Sequence, residues 1–142
     1  MKLMFTGTQI GMTRHQKNVL YDWLVQRDAI IEEVRHGGCV GADAQFHAEC
    51  VAFGLAELIE VYPSNIPSKQ ARLDEDTYKI MHNPAEPLDR NLTMVYASEV
   101  CLATPKERDE IMRSGTWATI RAARRNHLRV IIIEPDGAVV ED

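Results

Sequence analysis

The chain has 142 residues, 45% hydrophobic and 26% charged, with a formal net charge of −5. That length suits one domain spanning residues 1–142 and is short for two; a chain of this size buries roughly two-thirds of its unfolded surface and needs no staples. A negative balance argues against long nucleic acid as the default partner, because phosphate-backbone binders gather a basic face. The compact basic run is Arg121, Arg124 and Arg125, with Arg129 just beyond. Cys39, Cys50 and Cys101 are odd in number and widely spread, which suggests neither a disulfide framework nor a zinc knuckle. No secretory leader pattern is visible and no apolar run approaches the ~20 residues a membrane span needs, so the expected compartment is the cytoplasm and no membrane contact is expected.

Short apolar runs alternate with helix-period stretches, the pattern of a parallel sheet with helices on its faces. The first strand is Lys2 to Thr6, ending at Gly7. A helix follows from about Thr13 to Arg27, opened by a capping box of Thr13 and Gln16. A second strand, Ala29 to Arg35, leads through His36-Gly37-Gly38-Cys39-Val40-Gly41-Ala42-Asp43 into a helix that ends at Phe53 and is closed by Gly54. The third strand is Glu57 to Tyr62, stopped by Pro63.

The stretch from Ser64 to Pro87 is long, polar and weakly periodic, with a short helix expected within Ser68 to Met81. Asp89 is expected to cap a third helix through Ser98. Val100 to Ala103 reads as the fourth strand, and Ser114-Gly115-Thr116 opens a helix to about Asn126. Arg129 to Ile133 is the fifth strand, and Pro135-Asp136-Gly137 is a turn. The expected fold is therefore α/β: a Rossmann-like three-layer sandwich with a five-stranded parallel sheet in the order 3-2-1-4-5. Its switch point lies between the first and fourth strands, where open α/β sheets place ligands.

Three loops are candidates for phosphate binding, although the glycines of the first also suit a tight strand-to-helix turn that needs them for packing only. In His36 to Asp43, Gly37 and Gly38 let a ligand approach the backbone, and Gly41 stands where a helix opens its positive end. Ser114-Gly115-Thr116 offers hydroxyls and backbone donors at a second helix start, although Ser114 also suits a plain N-cap. Gly7-Thr8 follows the first strand and faces the same edge. None of them matches the dinucleotide fingerprint or the NTP phosphate loop, which disfavours NAD binding and NTP hydrolysis; no cofactor is expected. Arg90, beside Asn91, sits in a first helical turn, where the macrodipole opposes a cation, and so hints at an anionic partner; pairing with Glu86 or Asp89 is the plainer account. The histidines lack zinc-ligand spacing, and no metal is expected from His36, Cys39 and His47.

Together, Thr6-Gly7-Thr8, Gly37-Gly38-x-x-Gly41-Ala42-Asp43, Tyr62-Pro63, Arg90-Asn91 and Ser114-Gly115-Thr116 resemble the SLOG superfamily. That group joins Smf/DprA DNA-processing proteins, LOG-type phosphoribohydrolases and small nucleotide-binding Rossmann-like proteins. The resemblance spans Lys2 to about Ile133 and implies a nucleotide or nucleotide-derived ligand. The LOG-type motif Gly-Gly-x-Gly-Thr-x-x-Glu departs here: Arg90 matches the family's arginine, but Thr119 stands where the catalytic glutamate belongs. Glu107, Glu110 or Asp43 could replace it.

These readings converge on a mononucleotide or nucleotide-derived ligand. Gly37, Gly38, Gly41, Ser114, Gly115 and Thr116 would hold phosphate, and Arg90 would pair with phosphate or ribose-side oxygens. Thr8, Asp43 and Asn91 would fix the sugar or base. The rivals are an N-glycosidase acting on nucleoside monophosphates, which needs a carboxylate near the ribose, and a single-stranded DNA binder using the last-helix arginines and stacking from Trp117. Tyr62 is a second stacking candidate. Met94, Val95, Trp117 and Ile120 offer apolar surface for a homodimer.

Overall fold

The computed structural model describes residues 1–142. Eleven regular elements follow one another: β1 (Lys2–Gly7), α1 (Arg14–Arg27), β2 (Glu33–His36), α2 (Ala42–Ala52), β3 (Ile59–Val61), β4 (Ile80–Met81), α3 (Pro87–Ala97), β5 (Val100–Thr104), α4 (Gly115–Arg125), β6 (Arg129–Ile133) and β7 (Val139–Glu141). The sheet has seven strands in the order β4-β3-β2-β1-β5-β6-β7, not the five expected. Its central five strands keep the expected order. The additions are the two edges: β4 pairs parallel with β3, and β7 pairs antiparallel with β6. No helix is long and apolar enough to cross a membrane.

The central strands alternate between two cores, as a sheet buried on both faces requires. Leu3, Phe5, Val100, Leu102, Ile131 and Ile133 face one core, with Leu20, Leu24 and Phe46 of α1 and α2. Met4, Cys101, Ala103, Val130 and Ile132 face the other, with Met94, Val95, Trp117 and Ile120 of α3 and α4. Full burial of each large aliphatic side chain contributes about 1.5–3 kcal/mol. Phe5 and Phe46 stack with ring centroids 4.2 Å apart, pinning α2 to β1.

Met94, Val95, Trp117 and Ile120 are thus interior to the chain's own core and do not form a surface for self-association. Trp117 is likewise too deep to stack on a base. Tyr62 is buried and stacks instead on His82, with centroids 4.1 Å apart. All three cysteines are unpaired and buried.

Several element boundaries differ from expectation. Asp28–Ile30 form a 3-10 turn, so the second strand starts only at Glu33. The third strand is limited to Ile59–Val61. The helix expected within Ser68 to Met81 is reduced to single 3-10 turns, Pro67–Lys69 at its start and Glu75–Thr77 within it, followed by the strand β4. Glu86, not Asp89, caps α3, accepting from the Asp89 amide with Pro87 in the first turn. Proline tolerates that position because its missing N–H would have no helical partner there.

The expected capping box at Thr13 and Gln16 is present. Gln16 is almost wholly buried, and its Nε2 donates to Pro105 O and Ile133 O at 2.9 Å each. It thereby ties α1 to the chain leaving β5 and β6. The β1 and β5 strands run side by side up to Gly7 and Thr104, and their following loops part there.

Candidate functional site

Where β1 and β5 separate, a cleft of about 330 Å³ opens at the carboxyl edge of the sheet. Of the residues singled out in the sequence, Gly7, Thr8, Gly37, Asp43, Arg90, Asn91, Ser114, Gly115 and Thr116 all line it. Gly38 and Gly41 do not. Gly38 packs over Val61, and Gly41 is pressed against the backbone of Gln9.

The amides of the glycine loop are consumed within the loop and by the chain beside it. The Gly38 amide donates to His36 Nδ1 at 2.9 Å and the Cys39 amide to Asp43 Oδ2 at 3.2 Å. The Val40 amide donates to Lys69 O and the Ala42 amide to Thr8 O. These donors shape the loop and are not offered to the cleft. The start of α4 is different. Ser114 Oγ accepts from the Trp117 amide at 3.1 Å, while the amides of Gly115 and Thr116 have no acceptor in the protein. A Cβ at Gly115 would meet nothing within 4 Å, so that backbone is open. A helix start with open amides attracts anions.

Arg90 is held from the side rather than exposed. It is 9% exposed and belongs to α3, which packs against α4 and β1. Its Nη1 donates to Tyr62 O at 2.8 Å and Gly37 O at 3.1 Å, its Nε to Asn91 Oδ1 at 2.7 Å, and its Nη2 to Cys39 Sγ at 3.3 Å. A guanidinium has five N–H donors, so one on Nη2 remains. Arg90 makes no ion pair with Glu86 or Asp89; its bonds go to carbonyls, an amide and a thiol. A buried cation so placed favours anions nearby.

Asp43 lies in the first turn of α2, 6% exposed. Burial pushes its carboxyl up to about 6, against the opposing pull of Arg90 and the amides of Cys39 and Gly37. Burial, with the Asp43 charge next in importance, pushes the Cys39 thiol up as well, so it is no thiolate nucleophile at neutral pH. Thr119 is buried and donates to Gly115 O at 3.0 Å.

The cleft also holds cations that the sequence reading missed. Lys69 and Lys106 line it, the first from the chain after β3 and the second from the loop after β5. Neither lies in a periodic or glycine-marked stretch, so no local pattern flagged them. Glu107, beside Lys106, also lines the cleft.

No protein-family model matches the chain, and no curated protein sequence matches it. Among solved structures it is similar to the molybdenum cofactor binding protein from the phototrophic bacterium Rippkaea orientalis. That likeness has a TM-score of 0.67 at 18% identity and covers 93% of this chain and 75% of that one. At such identity the likeness concerns the fold: an α/β architecture with a mostly parallel sheet, on which that neighbour binds a small-molecule cofactor.

Proposed function

We propose that the protein is a binding protein for a phosphate-bearing small molecule, a mononucleotide or nucleotide derivative, seated in the cleft between β1 and β5. The observation that carries this reading is the meeting of open amides at Gly115 and Thr116 with Arg90, Lys69 and Lys106 around one cleft. The phosphate belongs at the α4 start, where Ser114, Gly115 and Thr116 surround it. Gly7 and Gly37 keep the walls thin, and Thr8 and Asn91 supply hydrogen bonds to the remainder of the ligand. Gly38 and Gly41 serve by shaping the loop. The volume is at the small end for ligand sites, which suits one nucleotide and not a strand. The resemblance to the SLOG superfamily and the fold shared with a cofactor-binding neighbour support the same class of ligand.

The single-stranded DNA reading loses its main support, because most of the basic run is neutralised. Arg121 pairs with Glu110, Arg124 with Asp142 and Arg129 with Glu141. Isothermal titration against AMP, GMP, CMP, UMP, the molybdenum cofactor and inorganic phosphate tests the proposal. Binding of at least one phosphate ester, weakened tenfold or more in Lys106→Ala, is expected. If no panel member binds, the proposal is wrong.

A further inference from the structure

The cations of the cleft stand on opposite flanks of it. Lys69 belongs to the β2 flank: the Val40 amide donates to Lys69 O at 2.9 Å, the Ala71 amide donates to Gly38 O at 2.8 Å, and Gln70 bridges to Cys39. Arg90 reaches the same flank through its bonds to Gly37 O and Cys39 Sγ. Lys106 belongs to the β5 flank, just past the strand end at Thr104, where Pro105 O is held by Gln16. The open start of α4, a helix packed on β5 and β6, lies on that flank too. Between the flanks runs β1, and Gly7, Thr8 and Gln9 at its end line the cleft without charge. Two strand spacings, about 10 Å, separate β2 from β5.

Both lysines are exposed, and neither ammonium pairs with an acid of the chain. The two acids of the cleft are met by other groups. Asp43 lies beside Arg90, whose charge pulls on its carboxyl, which leaves Lys69 over. Glu107 follows Lys106, and the amides of Gly115 and Thr116 stay open beside them. Each flank thus keeps a surplus that attracts an anion. Two ammonium groups repel each other, so each gains most from an anion of its own.

Building on the binding function above, we infer that the ligand carries two anionic groups set apart on one framework, the first at the α4 start beside Lys106 and the second at Lys69. The uncharged β1 loop then lies under the sugar that joins them. The ligand class narrows to nucleoside bisphosphates with phosphates on opposite sides of the sugar, as against monophosphates or diphosphates whose phosphates adjoin.

Calorimetric titration of the full chain and its Lys69→Ala and Lys106→Ala variants tests this. The probes are the 5′-monophosphate, 5′-diphosphate and 3′,5′-bisphosphate of adenosine and of guanosine. The wild type should bind a bisphosphate about tenfold or more tighter than the matching monophosphate, the strength of one charge-assisted hydrogen bond. The diphosphate should gain less. Lys69→Ala should bring the bisphosphate to the affinity of the monophosphate and leave the monophosphate unchanged, which also shows that the variant is folded. Lys106→Ala should weaken both. The second anion site is overturned, while the binding function stands, by any of three results: a bisphosphate no tighter than its monophosphate, an equal gain for the diphosphate, or equal weakening of monophosphate and bisphosphate in Lys69→Ala. Failure of the wild type to bind any probe removes both.

Discussion

Arg90 Nη1 stands 3.1 Å from Gly37 O, in the space that a side chain at position 37 would need. A Cβ built there would collide with Nη1 and stand 2.7 Å from Cζ. Gly37 is therefore required by its neighbour: at this point of the cleft wall a guanidinium is set directly against a bare backbone. Gly37→Ala has to move the Arg90 head, breaking its bonds to Gly37 O and Tyr62 O. The expected outcome is a destabilisation of about 1–3 kcal/mol in urea unfolding and roughly tenfold weaker binding of phosphate esters. A variant with both properties unchanged would show that the guanidinium is not fixed in place.

Gly41 and Gly54 separate two reasons for glycine. Both have positive φ, +88° and +77°. At Gly41, the N-cap of α2, an added Cβ would overlap the Gln9 carbonyl and lie 2.8 Å from Gln9 Cα. At Gly54, which follows α2, it would meet nothing within 4 Å. Gly54→Ala should lose only the conformational contribution, about 1 kcal/mol. Gly41→Ala adds a backbone collision and should lose about 3 kcal/mol or more. Thermal unfolding of the two variants side by side checks the ranking, and equal losses would contradict the packing of the β1 loop on α2.

The central sheet was legible because Leu3, Met4 and Phe5, or Ile131, Ile132 and Ile133, can only be buried on two faces at once. Turn glycines and the Thr13 capping box then placed the helices. The edges were not legible: β4 has exposed Ile80 and Met81, and Val139 to Glu141 of β7 are exposed throughout. A strand whose side chains face solvent leaves little hydrophobic period to read. At the site, the glycines and Arg90 stood out by type and position. Their division of labour did not, since two of the acceptors that consume the loop amides, Lys69 O and Thr8 O, come from separate segments. Lys69 and Lys106 reach the cleft from irregular chain, where spacing carries no information.

His36 begins a hydrogen-bonded chain with one sense. Its Nδ1 accepts from Gly38, so its Nε2 donates to His47 Nδ1 at 2.9 Å; His47 Nε2 then donates to Thr77 Oγ1 at 2.9 Å, and Thr77 donates to Asp74 O. Both rings must be neutral for this to hold. Burial, then the nearby His47 and Arg90, push His36 down to about 3. The unfolded ring binds a proton near 6.5, so acidification favours the unfolded state. The His36 contribution is full above pH 6.5 and is lost progressively down to pH 3, on the order of 4 kcal/mol in all. NMR titration should find His36 neutral at pH 5. A ring that is protonated at that pH in the folded protein would contradict the chain.

Asp43 pulls the other way over part of the same range. Its folded carboxyl titrates at about 6, against 3.8 for the ordinary group, chiefly because it is buried. The folded state therefore takes up this proton first as pH falls. Ionised Asp43 destabilises the fold at neutral pH, and the loss is relieved between pH 6 and 3.8. Asp43→Asn keeps an oxygen for the Cys39 amide and removes the buried charge. It should raise stability at pH 7 by on the order of 2–3 kcal/mol. Between pH 6 and 4 the two residues oppose each other in the wild type, giving a shallow dependence. In the variant the His36 loss stands alone, so stability should fall more steeply on acidification. Urea unfolding at half-unit pH steps measures both effects. If Asp43→Asn is less stable at pH 7 with an unchanged slope, then the pull of Arg90 outweighs burial, and Asp43 and Arg90 act as a buried ion pair.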